Sequence, residues 1–333
     1  MFLDLNDCTV MKTTQKIFPV HSLHFWKSYL VQMRPYLFFI SGFAGLAGMA
    51  VFPDFALNQH YNLFAFIAFF FSYGFGQALT DCDQTDTDVL SAPYRPLSMG
   101  ILSNQNVKIV SIAGLVLVAS VLVLHNWINI FLCLLSVIGL WTYTYFKKNF
   151  WFAGPFYNAW IVAVLVLIGY MASSEVKSLR TPHPVIFNVM IVTFFAYTNF
   201  VLVGYLKDIS ADSKTNYNTF PVVFGWVKTV WVADIILMIC TCFYFIYFTH
   251  NWQAIAFGIL SLMVAVSGQV YAHLTRDKTE KNAAFPILST VRSFLLWHAG
   301  MICNFHPGLF LFCIVFYLLF EITVYFRPMQ EQI

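Results

Sequence analysis

The chain has 333 residues, 59% of them hydrophobic and 10% charged, with a mean hydropathy of +0.71 and a net charge of +3. A soluble domain carries about 25% charged residues, so this chain has too little polar surface to cover a globule in water. The composition is that of a polytopic membrane protein, and the small net charge, with no basic low-complexity run, excludes nucleic acid as a partner.

In chain order, residues 1–35 read as a cytoplasmic and interfacial segment. Met1–Lys16 is mixed and polar, without the apolar core or small-residue cleavage site of a secretory signal. HSLHFWKSYLVQMRP (His21 to Pro35) has the Trp, Tyr and His content of a short amphipathic helix at the membrane surface. A spanning helix needs about 20 mostly apolar residues. Such runs are read near 36–53, 61–80, 107–125, 127–146, 153–172, 184–206, 227–248 and 252–273. A shorter run, 293–304, is cut by Asn304 and Pro307, and a full-length run, 307–326, ends the hydrophobic part before the tail, 328–333. The expected count is nine transmembrane helices, or ten if the broken segment crosses. They form one unit, 36–327, with halves of about 36–150 and 151–275 plus the C-terminal helices.

Lys and Arg orient the bundle. Lys12, Lys16, Lys27 and Arg34 precede the first span. Arg95, Lys108, Lys147, Lys148, Lys207, Lys214, Arg276, Lys278, Lys281 and Arg292 follow even-numbered spans. The opposite loops carry Lys177 and Arg180. The N-terminus and the even-numbered loops are therefore expected on the cytoplasmic side of a multi-pass integral membrane protein. A bacterial inner membrane and an internal membrane are not distinguished. Cys8, Cys82, Cys133, Cys240, Cys242, Cys303 and Cys313 show no CxxC pair and no Cys/His ligand spacing, and read as structural thiols.

The chemistry concentrates where the second span ends. LTDCDQTDTDVLSAPYRPLSMG (Leu79 to Gly100) places Asp81, Asp83, Asp86 and Asp88 directly after an oily run. Read as a helix extending from that span, Gln77, Asp81, Gln84 and Asp88 share a stripe, while Asp83 and Asp86 point elsewhere. A weak internal repeat follows the sixth span: GYLKDISADSKTNYNTFPVVFG (Gly204 to Gly225) holds Asp208 and Asp212 four residues apart. Two halves facing each other would bring both clusters to one cavity. A lone juxtamembrane Asp is usually a solvated charge; two matching pairs beside hydrocarbon point to function. Carboxylates that repel one another, with no Cys or His on either stripe, select a hard cation such as Mg²⁺, which is held by carboxylates and substrate phosphate oxygens together. Arg34, Arg95, Lys147 and Lys207 lie at the same helix ends, each alone a membrane anchor, together able to clamp a phosphate chain. An oily cavity with a Mg²⁺–diphosphate grip at its mouth fits an isoprenyl diphosphate. The abundant Phe and Tyr suit a polyene tail and an allylic cation, although most will serve ordinary helix packing.

These residues resemble the UbiA-type intramembrane prenyltransferases, a nine-helix family of two four-helix halves around a central cavity with two Asp-rich motifs. The likeness rests on MRPYLFF (Met33 to Phe39), TDCDQTDTD (Thr80 to Asp88), PYRP (Pro93 to Pro96), YTYFK (Tyr143 to Lys147), GPFYNAW (Gly154 to Trp160), KDISAD (Lys207 to Asp212) and TFPVVFG (Thr219 to Gly225). It implies an all-α membrane fold and Mg²⁺ as cofactor, with Asp81, Asp88, Asp208 and Asp212 as ligands. Arg95, Lys147, Lys207 and Asp208 would be catalytic, and Arg34, Thr80 and Gln84 would contact the substrate. Tyr143, Asn158 and Asn199 are candidate polar contacts in the cavity, or satisfied structural hydrogen-bonders. Two positions depart from the family pattern: Thr80 stands at its Asn and Gln84 at its middle Asp. The implied activity is transfer of a prenyl group to a lipophilic, expectedly aromatic, acceptor amid membrane lipid. The alternatives are a terpene cyclase using the same ionisation and a non-catalytic lipid- or quinone-binding member of the fold.

Overall fold

The computed structural model describes residues 17–173 and 183–327. Met1–Lys16, with Cys8 and Lys12, the segment bearing Lys177 and Arg180, and the tail 328–333 lie outside the described residues. Every regular element among the described residues is helical. In hydrocarbon each backbone N–H and C=O must be satisfied within its own segment, and a helix does this for a single run.

The expected interfacial helix is α1 (Leu23–Met33). Ser22 caps it by accepting from the Phe25 N–H at 3.1 Å, and the chain turns at Pro35, which cannot continue the ladder. A 3₁₀ turn (Pro35–Leu37) leads into α2 (Phe38–Met49), which is buried at every position. It packs against α3 (His60–Asp81) on one side and α7 (Ala153–Ser173) on the other. The α7 contact is backbone to backbone. A Cβ on Gly48 would run into the Val166 carbonyl, and one on Gly169 into the Gly45 carbonyl. Small residues are what allow two helices so close an approach where lipid supplies no hydrophobic drive.

The first half is completed by α4 (Thr85–Ser91), α5 (Asn104–His125) and α6 (Asn129–Asn149). The second contains α7, α8 (Val185–Gly204), α9 (Ile209–Lys214), α10 (Phe220–Tyr247) and α11 (Trp252–Leu274). The weak sequence repeat is a structural one: α3 breaks into the short α4, and α8 breaks through a 3₁₀ turn (Tyr205–Lys207) into the short α9. α10 is interrupted at Gly225, at φ 76°, a left-handed conformation that a side chain would disfavour.

Among the described residues eight helices are long and apolar enough to cross a membrane, and Pro35–Met49 is a shorter apolar one. This is an integral, multi-pass, all-helical membrane protein. The run expected to be broken, 293–304, is instead the inner part of a continuous helix, α12 (Ala284–Phe305). Hydropathy underrates it because its polar side chains find partners in neighbouring helices. Ser293 Oγ lies 2.9 Å from Ser261 Oγ, and His298 Nε2 2.9 Å from Thr193 Oγ1. Arg292 donates twice, at 2.7 Å, to Glu321 on the last helix, α13 (Phe310–Tyr325). Among the described residues the eight spans and the shorter α2 agree with the expected count of nine, and α12 is a further long helix packed within the bundle.

Candidate active site

α3 ends at Asp81, and α4 begins at Thr85. The single extended helix expected for Gln77, Asp81, Gln84 and Asp88 is therefore broken at Cys82–Gln84. The Cys82 carbonyl, which a longer helix would use, accepts instead from Asn104 Nδ2 at 2.7 Å. All four residues nevertheless line one cavity, together with Thr80, Arg34, Arg95, Tyr143, Lys147, Asn158, Lys207 and Asp208. The break turns Asp83 and Asp86 outward, to Lys108 at 2.6 Å and Lys148 at 3.5 Å.

Asp81 is 3% exposed, and three side chains engage its carboxylate. Gln32 donates at 2.6 Å, Gln77 at 2.7 Å, and one Arg34 nitrogen at 2.8 and 2.7 Å to its two oxygens. Arg34 reaches it from a left-handed backbone at φ 56°, unusual for a residue with a side chain and typical of sites where the surroundings fix the conformation. Gln32 also accepts from the Leu97 N–H at 3.1 Å, fastening the PYRP turn to α1. From that turn Arg95 pairs with Asp88 at 2.7 Å. Burial opposes ionisation of Asp88, yet Arg95 and Arg34 hold its carboxyl below the usual carboxylate range. Burial likewise opposes the charge on Arg95, and Asp88 and Asp81 outweigh it and raise its pKa.

Opposite stand Lys147 and the second cluster. Lys147 is 5% exposed. It donates to Gln84 Oε1 at 3.1 Å, lies 3.5 Å from Asp212 Oδ1, and sits about 5 Å from the ring centres of Tyr205 and Tyr217, at 5.2 and 5.0 Å. Gln84, the departure from the family's Asp, is thus an acceptor for the lysine, and its amide donates to Thr144 at 3.3 Å. Asp208 stands at the start of α9, where its side chain makes no capping hydrogen bond, and lines the cavity; Asp212 lies one turn on, fully buried behind Lys147. The pair does not present a common face to the cavity. Asp212 accepts from Thr219 at 3.1 Å, and its Oδ1 has no hydrogen bond. Burial pushes its carboxyl up to about 6, against the lowering pull of Lys147. Thr87 and Thr215, 3.0 Å apart, join α4 to α9 and hold the two acidic segments together.

The whole cavity has a volume of about 210 Å³ and is apolar below this mouth. Its walls include Leu115 and Leu122 of α5, Cys133 and Leu140 of α6, and Leu165 and Ile168 of α7. Two tyrosine pairs cross it near the top, Tyr143–Tyr205 at 2.8 Å and Tyr73–Tyr197 at 3.0 Å. Thr80 donates back to the Gln77 carbonyl at 3.0 Å. Asn199, like Asp212, does not line the cavity, and its amide oxygen faces Gln269 of α11 at 3.5 Å. Sequence reasoning passed over Gln32, Tyr205, Tyr217 and Thr219. Gln32 carried a signal, since it falls on the otherwise apolar buried stripe of α1 with Phe25, Tyr29 and Met33.

A family model for the UbiA prenyltransferase family matches residues 38–299. A relative from Saccharolobus solfataricus, digeranylgeranylglyceryl phosphate synthase, is 27% identical over 165 residues; the match covers 49% of this chain and 57% of that protein, less than two thirds of its length. A UbiA homologue from Aeropyrum pernix superposes with a TM-score of 0.66 at 16% identity, over 81% of this chain and 98% of that one. A UbiA homologue from Archaeoglobus fulgidus, solved with GPP and Mg²⁺, superposes with a TM-score of 0.62 at 16% identity, over 84% and 98%.

Proposed function

The chain belongs to the UbiA prenyltransferase family, and from that premise we propose that it takes an isoprenyl diphosphate at the charged end of its bundle and transfers the prenyl group to a lipophilic acceptor within the membrane. One observation carries the reading. A single cavity brings Asp81, Asp88 and Asp208 together with Arg34, Arg95, Lys147 and Lys207 at its mouth and continues as an apolar pocket beneath them.

The chain's own residues suit each part of the reaction. The diphosphate would sit among the two arginines and two lysines, whose positive charge is placed where negative charge grows as the allylic C–O bond breaks. One atom favours such a ligand: Arg34 Nε is buried without a hydrogen bond. The carboxylates fit a hard dication. Among the described residues no three His, Cys, Asp or Glu side chains converge to hold a metal unaided, which suits Mg²⁺ shared between one or two carboxylates and phosphate oxygens. Asp88 and Asp208, which line the cavity, would hold it, with Asp81 occupied in positioning Arg34 and Asp212 paired behind Lys147. Bound there, Mg²⁺ would neutralise the leaving diphosphate. The bond pair leaves with that diphosphate, the acceptor's nucleophile forms the new bond to the allylic carbon, and the acceptor loses a proton. The apolar walls exclude water, which would otherwise capture the allylic carbon. The acceptor's class is an aromatic carbon, as the family resemblance implies, or a lipid alcohol, in line with the name of the relative. The basic helix ends support a mouth on the cytoplasmic side.

Purified protein incubated with prenyl diphosphates and Mg²⁺, with and without membrane extract, tests this by mass spectrometry. Prenylated product that requires extract supports transfer. A cyclised alcohol or hydrocarbon formed without it supports a cyclase, and failure to bind or consume any donor supports a non-catalytic member of the fold.

A further inference from the structure

A second cleft, of about 410 Å³, lies between α10 and α11. Its walls are two helical stripes, with Asp234, Met238 and Thr241 on α10 facing Val266, Gln269 and His273 on α11. Both helices are of membrane-spanning length, and Trp231 and Met238 are each 60% exposed, so the cleft opens toward lipid. At one end His273 Nε2 and Asp234 Oδ2 lie 2.7 Å apart, with the Trp231 ring against the imidazole at 4.9 Å between centroids.

Ionisable side chains on a lipid-facing surface are costly, and function is their default reading. This pair satisfies only half of its own capacity. Asp234 Oδ1 and His273 Nδ1 have no protein partner among the described residues. Further along, Thr241 Oγ1 is buried without a hydrogen bond, although a helical threonine commonly bonds the carbonyl four residues back. Seven residues separate Thr241 from Asp234, about 10 Å along the helix. The cleft therefore has a polar head region at Asp234 and His273, with Gln269 one turn away on α11, then an apolar stretch, and Thr241 deep within it.

We propose that this cleft binds a single-chain amphiphile whose head carries a hydroxyl, held at Asp234 and His273 with its chain running along α10 toward Thr241. Asp234 Oδ1 accepts from a hydroxyl. With Nε2–H directed at Asp234, the imidazole's Nδ1 accepts from it when the ring is neutral and donates to it when the ring is protonated, so a hydroxyl, which both donates and accepts, satisfies either form. The carboxylate repels a phosphate head. A cleft between two helices admits one chain.

The test uses the full-length protein in lipid nanodiscs with a long-chain primary alcohol carrying a photoactivatable diazirine. After irradiation, adducts are mapped by peptide mass spectrometry. They are expected on 234–242 and 262–273, and unlabelled alcohol should compete where the matched alkyl phosphate does not. Met238→Trp, which fills the cleft from the lipid side, and Asp234→Asn should each cut labelling by about tenfold, the scale of one hydrogen bond to a charged group. Prenyl transfer by Met238→Trp should persist, which separates failure here from failure of the transferase reading. Adducts spread evenly over the lipid-facing helices, or labelling unchanged in both variants, would overturn the assignment. So would displacement by diacylglycerol but not by alkyl alcohol, or protection of the cleft by a second copy of the chain in a stable dimer.

Discussion

A tryptophan ladder along α6 tests whether the cavity beneath the charged mouth holds the prenyl tail. Cys133, Ser136 and Leu140 line it on one stripe of α6, with Lys147 at the mouth. At 1.5 Å per residue, Leu140 lies about 10 Å from Lys147 along the axis, Ser136 about 16 Å and Cys133 about 21 Å. A tryptophan at each position closes the pocket at that depth. Overpacking of this kind costs about 1–3 kcal/mol, or roughly five- to 150-fold in affinity. Leu140→Trp is expected to weaken every donor but the shortest, Ser136→Trp the longer ones, and Cys133→Trp the longest alone. Equilibrium binding of dimethylallyl, geranyl, farnesyl and geranylgeranyl diphosphates with Mg²⁺ measures this without an acceptor. Thermal unfolding of each variant checks the fold. If Cys133→Trp weakens the dimethylallyl donor as much as the geranylgeranyl donor, or the three variants rank in another order, the tail does not run along α6 and the reasoning fails.

Three further outcomes follow from the mouth. Arg34→Met leaves Asp81 as a buried charge and should lower stability by about 3–5 kcal/mol; adding Asp81→Leu should restore the melting temperature but not turnover, and recovery of both would show the pair to be structural only. Gln84→Asp adds a carboxylate between Lys147 and the first cluster, so the Mg²⁺ dependence of turnover should shift to lower concentration, while a chelator should abolish turnover in the parent; a curve unmoved by the substitution places the metal elsewhere. Asp212, with its folded pKa raised to about 6, binds a proton that the unfolded chain has already released above its ordinary value of 3.8. Its contribution to stability is therefore present at low pH and falls as pH rises from there through 6. The melting temperature should accordingly drop as pH rises from about 4 to about 7, and Asp212→Asn should remove that slope; a slope that survives in the variant assigns the titration to another group.

The membrane class, most helix positions and both acidic segments were legible in the sequence, because hydrocarbon length and backbone satisfaction leave few choices. Asp81, Asp88, Asp208, Arg34, Arg95, Lys147 and Lys207 could be named from residue type and spacing beside the oily runs. Periodicity could not show that α3 stops at Asp81, because the Asn104 amide that takes the Cys82 carbonyl comes from α5, 22 residues away. It could not separate Asp208, on the cavity, from Asp212, sealed behind Lys147, since i and i+4 share a face only while the surrounding helices leave that face open. Hydropathy missed the full length of α12 for a related reason: Ser293 and His298 look expensive in lipid until Ser261 and Thr193 are brought beside them. Asn199 looked like a cavity residue until α11 was seen to hold it. Local physics sets where a helix is stable and where charge is tolerated, whereas partners distant in sequence decide which of those charges meet, and that is settled only by packing.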